Sequence, residues 1–158
     1  MAAGRLYALR VAVHSLETTG PAETESLGAQ LAGDLRDGDV VLVRGELGSG
    51  KTTLVRGAAR ALGVTDPVTS PTFSIGHRYR GDGVLVTHLD LYRLAGLADE
   101  EPEFLADYLG PGRIAFVEWP PERESELAEA CLAVTLSHAG DERRSIEVEA
   151  LAGEQTAR

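Results

Sequence analysis

A chain of 158 residues with 43% hydrophobic content is long enough to bury one core and ordinary enough to be globular, so residues 1–158 are expected to form a single domain. A formal charge of −10 argues against extended direct contact with nucleic acid, which requires a basic face, and the single cysteine, Cys131, excludes an intrachain disulfide framework. No apolar run reaches membrane-spanning length and the N-terminus lacks the apolar centre of a signal peptide, so the chain reads as cytoplasmic, with no membrane contact.

Residues 5–13 have strand composition, and 14–21, ending in Gly20-Pro21, break the run. Leu27, Leu31 and Leu35 then recur at four-residue spacing, which predicts an amphipathic helix over 22–35 with Thr24 as a polar residue near its start. Asp37-Gly38-Asp39 is a turn into the apolar run 39–44, which predicts a buried strand.

That strand feeds Gly45-Glu46-Leu47-Gly48-Ser49-Gly50-Lys51-Thr52, which matches the phosphate-binding pattern GxxxxGK[ST] at every position. The segment after it, 53–63, is Ala-rich, apolar at helical spacing, and ends on a glycine suited to a helix C-cap. Strand, glycine loop and helix stand in the order that phosphate binding requires. The glycines let successive N–H groups turn toward one anion, and the helix start adds the positive end of its dipole. Lys51 supplies a full charge for the β- and γ-phosphates, and the Thr52 hydroxyl can ligate the magnesium that bridges them. Lys51 is the only lysine in the chain, while arginine occurs freely. The compact ammonium stands only where a point-charge phosphate contact is wanted.

Downstream, the proline- and hydroxyl-rich stretch 64–75 suits a loop leading into a strand; in this setting such a loop can sense a γ-phosphate, and an ordinary Ser-Pro turn is the plainer alternative. Gly81-Asp82-Gly83 is a hairpin signal between strands at 73–80 and 84–89. The second strand runs out at Asp90, where a magnesium-associated or water-orienting carboxylate belongs; a helix N-cap is the plainer alternative. His77 and His88 alternate with apolar residues and read as structural, while His14 and His138 fall in apparent loops. Residues 98–108 read as an acidic helix with a solvated face, a partner surface being the sharper alternative, and 114–117 as a buried strand ending in Glu118 beside Trp119, the only tryptophan. A short charged helix is expected over 121–130. A closing antiparallel hairpin is expected from 131–137 and 145–150 about Gly140-Asp141, with Cys131 a core residue at its start and 151–158 frayed.

The P-loop, Asp90 and Glu118 each follow an apolar run that should lie in one sheet, and ligands of open α/β sheets bind beyond the carboxyl ends of the strands. The expected fold is therefore α/β: a P-loop NTPase-like mixed sheet flanked by helices, with antiparallel hairpins at its edges. The expected chemistry is phosphoryl transfer by positioning and charge neutralisation. Thr52 and one carboxylate would hold magnesium, and the other carboxylate would orient the attacking water. Spacing alone leaves open which acid does which. A small-molecule kinase is the competing enzyme class, but no arginine-rich lid is evident. A GTPase would need an Asn-Lys-x-Asp guanine reader, and the chain has no asparagine. A non-hydrolysing interaction module would have little use for the two acids.

GELGSGKTTLVRG (45–57), SPTFS (70–74), HLDLYRL (88–94) and VEWP (117–120) together resemble the TsaE (YjeE) family of bacterial ATPases, in family order and spacing. The resemblance covers about 24–120. It implies ATP binding by the 45–52 loop, with Glu46, Leu47, Gly48, Ser49, Gly50, Lys51, Thr52 and the adjoining Thr53 as contacts. It implies magnesium held by Thr52 and Glu118, and catalysis through Asp90 and Lys51. It further implies a switch-like loop at Ser70-Pro71-Thr72, with Thr24 near the nucleotide and Trp119 as a supporting neighbour. The family assists formation of threonylcarbamoyladenosine beside the tRNA anticodon, working with the TsaD–TsaB pair. Those partners would carry the RNA contacts, in keeping with an acidic chain. The sequence departs from the family at Phe104-Leu105-Ala106, where a glycine followed by an aliphatic residue is usual.

Overall fold

The computed structural model describes residues 14–71, 76–91, 107–118 and 130–151. Its elements in chain order are β1 (His14–Thr18), α1 (Pro21–Ala32), β2 (Val40–Gly45), α2 (Lys51–Ala61), β3 (Gly76–Arg80), β4 (Leu85–Asp90), β5 (Arg113–Glu118), β6 (Ala130–His138) and β7 (Arg144–Ala150). The strands form one seven-stranded sheet in the order β1-β7-β6-β2-β5-β4-β3. The four central strands, β6, β2, β5 and β4, are mutually parallel. β3 and β7 flank them in antiparallel pairings, and β1 adds to β7 the same way. This is the mixed sheet with antiparallel edges that the sequence predicts.

The sheet is buried on two faces because its strands alternate between two apolar clusters. Val41 and Val43 face one side with Val86, Ile114 and Phe116, and there they meet Leu27 and Leu31 of α1 and Leu54, Val55 and Ala58 of α2. Val40 and Leu42 face the other side with Leu89, Ala115 and Val117, where Tyr108 and Leu109 pack against them. A run apolar at every position is what a strand covered on both faces requires.

Among the described residues both helices lie on the first face and pack closely on each other. Two glycines permit that approach. A Cβ on Gly28 would strike the Leu54 carbonyl oxygen, and one on Gly57 would strike the Glu25 carbonyl oxygen. α1 begins with Pro21 at its first position, and the Glu23 carboxylate accepts a hydrogen bond from the Thr19 N–H at 2.7 Å. α2 ends as expected: Gly63 adopts φ +94°, and the Val64 N–H reaches back to the Ala59 carbonyl at 3.0 Å.

The chain's beginning departs from expectation. The strand expected at 5–13 lies outside the described residues, and 14–18, expected to interrupt it, is β1 itself. Its pairing comes from β7, with Ser15 opposite Glu147, so nothing local announces it. His14 therefore sits on a strand, and His138 closes β6, where loops were expected. α1 stops at Ala32 instead of 35, closed by turns from Gly33 to Leu35. Most of the acidic stretch 98–108 and of the helix expected at 121–130 lies outside the described residues. Residues 107 and 108 form a turn and Ala130 opens β6. Cys131 is a buried core residue, as expected. No described helix is long and apolar enough to cross a membrane.

Candidate functional site

The parallel strands β2, β4 and β5 end side by side, so Gly45, Asp90 and Glu118 arrive at one edge of the sheet. Asp90 lies directly opposite Glu118 in the β4–β5 pairing, and Val43 lies opposite Glu118 in the β2–β5 pairing. Beyond β2 the chain turns through Gly45, Gly48 and Gly50, at φ +151°, +77° and +101°. Those angles favour glycine and curl the loop back over the strand ends. At Gly45 the constraint is also steric, since a Cβ there would meet the Ser49 hydroxyl and lie 2.6 Å from the Leu136 carbonyl oxygen. The Ser49 N–H closes an inner turn on the Glu46 carbonyl at 3.1 Å, and the helix begins at Lys51.

A cavity of about 360 Å³ opens over this edge. Its lining includes Gly48, Gly50, Lys51, Thr52 and Thr53 from the loop and helix start, Asp90 and Glu118 from the strand ends, and Thr24 from α1. Ser70 of the hydroxyl-bearing loop reaches it too. The sequence-predicted residues are thus drawn from segments up to 94 positions apart into one concavity, Thr24 to Glu118. Not all of them line it equally. Leu47 is at the rim and 97% exposed. Glu46 and Ser49 are outside the lining, and the Ser49 side chain is buried beneath the loop against Gly45. Thr72 and Trp119 lie outside the described residues.

Three charged or polar side chains form a chain along the floor. Lys51 Nζ donates to the Gly45 carbonyl at 2.6 Å and stands 3.8 Å from Glu118 Oε1. His88 Nε2–H donates to Glu118 Oε2 at 2.8 Å. His88 is fully buried and Glu118 nearly so, which holds the carboxylate in one orientation with one oxygen toward the lysine. The alternation that marks His88 as structural is right about its burial. What the sequence does not disclose is that its partner is the site carboxylate. Thr24 is also buried and held, sharing a 2.8 Å hydrogen bond with the Thr18 hydroxyl and donating to the Gly20 carbonyl at 3.3 Å.

Three lining residues escape sequence reasoning, the first being Pro21 at the start of α1. Glu142 and Arg144 come from the β6–β7 turn and the start of β7, which fold against the loop. Arg144 donates from Nε to the Ser49 carbonyl at 3.1 Å and from Nη2 to the Gly48 carbonyl at 3.2 Å. No motif surrounds Arg144, so only the fold could reveal it.

The arrangement can hold a polyphosphate. It offers a glycine loop with a helix start, one lysine, a hydroxyl at the helix's second position, and two carboxylates across from them. Residues 18–146 match the model of the family described as threonylcarbamoyl adenosine biosynthesis protein TsaE. A tRNA threonylcarbamoyladenosine biosynthesis protein TsaE from Streptomyces coelicolor is 43% identical over 131 residues, spanning 79% of this chain and 88% of the relative. The protein of that name from Bacillus subtilis is 38% identical over 131 residues, spanning 82% and 80%. Among solved structures, Bacillus subtilis YdiB superposes with a TM-score of 0.68 at 29% identity, over 89% of this chain and 87% of that one. With the family model matching most of the chain and the fold agreeing along nearly all of it, this chain belongs to the TsaE family of tRNA threonylcarbamoyladenosine biosynthesis proteins.

Proposed function

We propose that the protein binds ATP with magnesium at the Gly45–Thr52 loop and hydrolyses it slowly, as an accessory to the TsaD–TsaB pair that threonylcarbamoylates tRNA adenosine next to the anticodon. The observation that carries this reading is the meeting of Lys51, Thr52, Asp90 and Glu118 on one cavity at the ends of three parallel strands. In this reading the loop's N–H groups and Lys51 hold the β- and γ-phosphates. The donor set for magnesium, a threonine hydroxyl and a carboxylate, is all oxygen, as that hard cation prefers. Thr52 and Glu118 would hold it, and it would neutralise charge on the phosphates as the γ-phosphoryl leaves. Glu118 enters the step already oriented by His88. Asp90, half-buried and facing the same cavity, accepts a hydrogen bond from the attacking water and aims its oxygen at the γ-phosphorus. Net charge −10 leaves the tRNA contacts to the partners, whose reset after each transfer would consume the ATP.

The test is ATP turnover by the purified chain, alone and with purified TsaD–TsaB. The expected result is slow turnover alone and a clear rise with the pair. Fast turnover by the isolated chain, or a rate indifferent to TsaD–TsaB, would remove the accessory role. Transfer of the phosphoryl group to a small-molecule acceptor instead of water would make the protein a kinase.

A further inference from the structure

Within that ATPase reading, we propose that Arg144 is a positioning residue for phosphate binding: its guanidinium fixes the P-loop by holding two successive loop carbonyls. Nε and Nη2, one edge of the planar fork, donate to the carbonyls of Ser49 and Gly48 at 3.1 and 3.2 Å. Nη1 donates to the carbonyls of Asp141 and Arg143 at 3.0 and 2.8 Å. One side chain thus joins the tip of the β6–β7 hairpin to the middle of the loop, 95 positions away in sequence.

The hairpin is shaped for this task. Asp141 is the only non-glycine residue at positive φ (+46°) among those described, and its carbonyl is one of the four that the guanidinium holds. Its neighbour Arg143 is drawn the other way, to Glu17 of β1 at 2.8 Å. Among the described residues, no carboxylate lies within 4.0 Å of the Arg144 guanidinium. Its hydrogen bonds therefore all go to backbone carbonyls, at the wall of the cavity it lines.

The physical effect follows from peptide geometry. A trans peptide points its N–H opposite its C=O. Holding the Ser49 carbonyl sets the direction of the Gly50 N–H, and holding the Gly48 carbonyl sets that of the Ser49 N–H, which closes the turn on Glu46. Gly48 and Gly50 leave these peptide planes free to rotate in an unanchored chain. Fixing two adjacent planes before the anion arrives lowers the ordering cost of binding. A lysine at 144 would keep the charge but could not span both carbonyls.

The experiment compares wild type with Arg144→Ala, Arg144→Gln and Arg144→Lys. Amide hydrogen exchange of the ligand-free proteins reads loop anchoring, and calorimetric titration with ATP and with inorganic tripolyphosphate reads phosphate binding. All three variants are expected to exchange faster at 48–50, with the β2 core amides unchanged. Both ligands should bind Arg144→Ala and Arg144→Gln about 10- to 100-fold more weakly than wild type, by the same factor, since the loop holds phosphate and not the base. Arg144→Lys should remain about tenfold weaker than wild type, because it lacks the fork. Wild-type exchange at 48–50 in Arg144→Ala, or wild-type affinity in Arg144→Lys, overturns the proposal, as does a loss confined to ATP and absent for tripolyphosphate. A wild-type protein that binds neither ligand overturns the ATPase reading and this role together, whereas intact wild-type binding with indifferent variants removes only the role of Arg144.

Discussion

Replacing Glu118 by glutamine should change nucleotide affinity in opposite directions with and without magnesium. In the free protein Glu118 Oε1 stands 3.8 Å from Lys51 Nζ. At an effective dielectric of ~20, two unit charges at that separation attract by about 4 kcal/mol. The lysine side chain is 22% exposed, so solvent screens much of this, and a net of about 1–1.5 kcal/mol is reasonable. Lys51 gives up that attraction when it turns to phosphate, and the glutamate also repels the incoming anion. Glutamine keeps the shape, and its amide oxygen still accepts from His88, so the fold should tolerate the change. Titrated with ATP in EDTA, Glu118→Gln is expected to bind roughly tenfold tighter than wild type. With magnesium present the order should invert, because the variant has lost an anionic ligand for the metal. Weaker binding by Glu118→Gln in EDTA would refute the electrostatic argument, and the absence of any inversion with magnesium would remove Glu118 as a metal ligand.

Asp90→Ala should still bind ATP but turn over about 10²-fold more slowly with TsaD–TsaB present, as when other positioning or acid–base groups are lost; normal turnover would take Asp90 out of the mechanism. Gly57→Ala offers a reversal of helix propensity. In a free helix alanine would be favoured by about 1 kcal/mol, but here its Cβ meets the α1 backbone at Glu25. Overpacking against backbone should win, with a net destabilisation of roughly 2 kcal/mol and a melting temperature lower by about 6 °C. A raised melting temperature would show that the helices part freely. Glu23 is held below the ordinary glutamate value of 4.5, chiefly by the Thr19 N–H. Its contribution to stability is therefore present above that pH and disappears as pH falls through its lowered value. The stability gap between wild type and Glu23→Gln should be open at neutral pH and close below 4.5 in urea titrations; a gap that persists in acid would rule out the ionic cap.

The candidate site was legible wherever its signal was local. Gly45 to Thr52 carries strand, turn and helix signals within a few residues on either side, and Asp90 and Glu118 are marked as polar residues closing apolar runs. Legibility ended where a residue's role depends on a distant partner. β1 has no alternation of its own, with only Thr18 buried, and exists because β7 supplies its hydrogen bonds. Arg144 grips carbonyls far away along the chain, and carbonyls belong to every residue, so no side-chain pattern could name them. His88 is the intermediate case: its burial follows from its position on β4, but its partner follows from a strand register that sequence does not print.

That register decides more than one contact. Asp90 is paired with Glu118, and side chains two apart on a strand share a face. Val86, Ile114 and Phe116 lie in the cluster covered by α1 and α2, so His88, Asp90 and Glu118 project to that same face, where α2 begins with Lys51. Leu89 and Val117 occupy the opposite cluster. A slip of one residue in β4 or β5 would carry its acid to the face away from the lysine and bury it among valines and leucines. The apolar alternation that secures the core therefore also secures the electrostatics of the site. It also separates the two acids in character. Glu118 is buried between His88 and Lys51 and can move little, which suits a group that must present one oxygen to a metal. Asp90 is the less buried of the two and faces the open cavity, where a water can reach it and be aimed. Exchanging the two side chains, Asp90→Glu with Glu118→Asp, preserves total charge but shortens the reach to His88 and Lys51, so the double variant should lose magnesium-dependent binding in calorimetric titration with ATP even though both carboxylates remain.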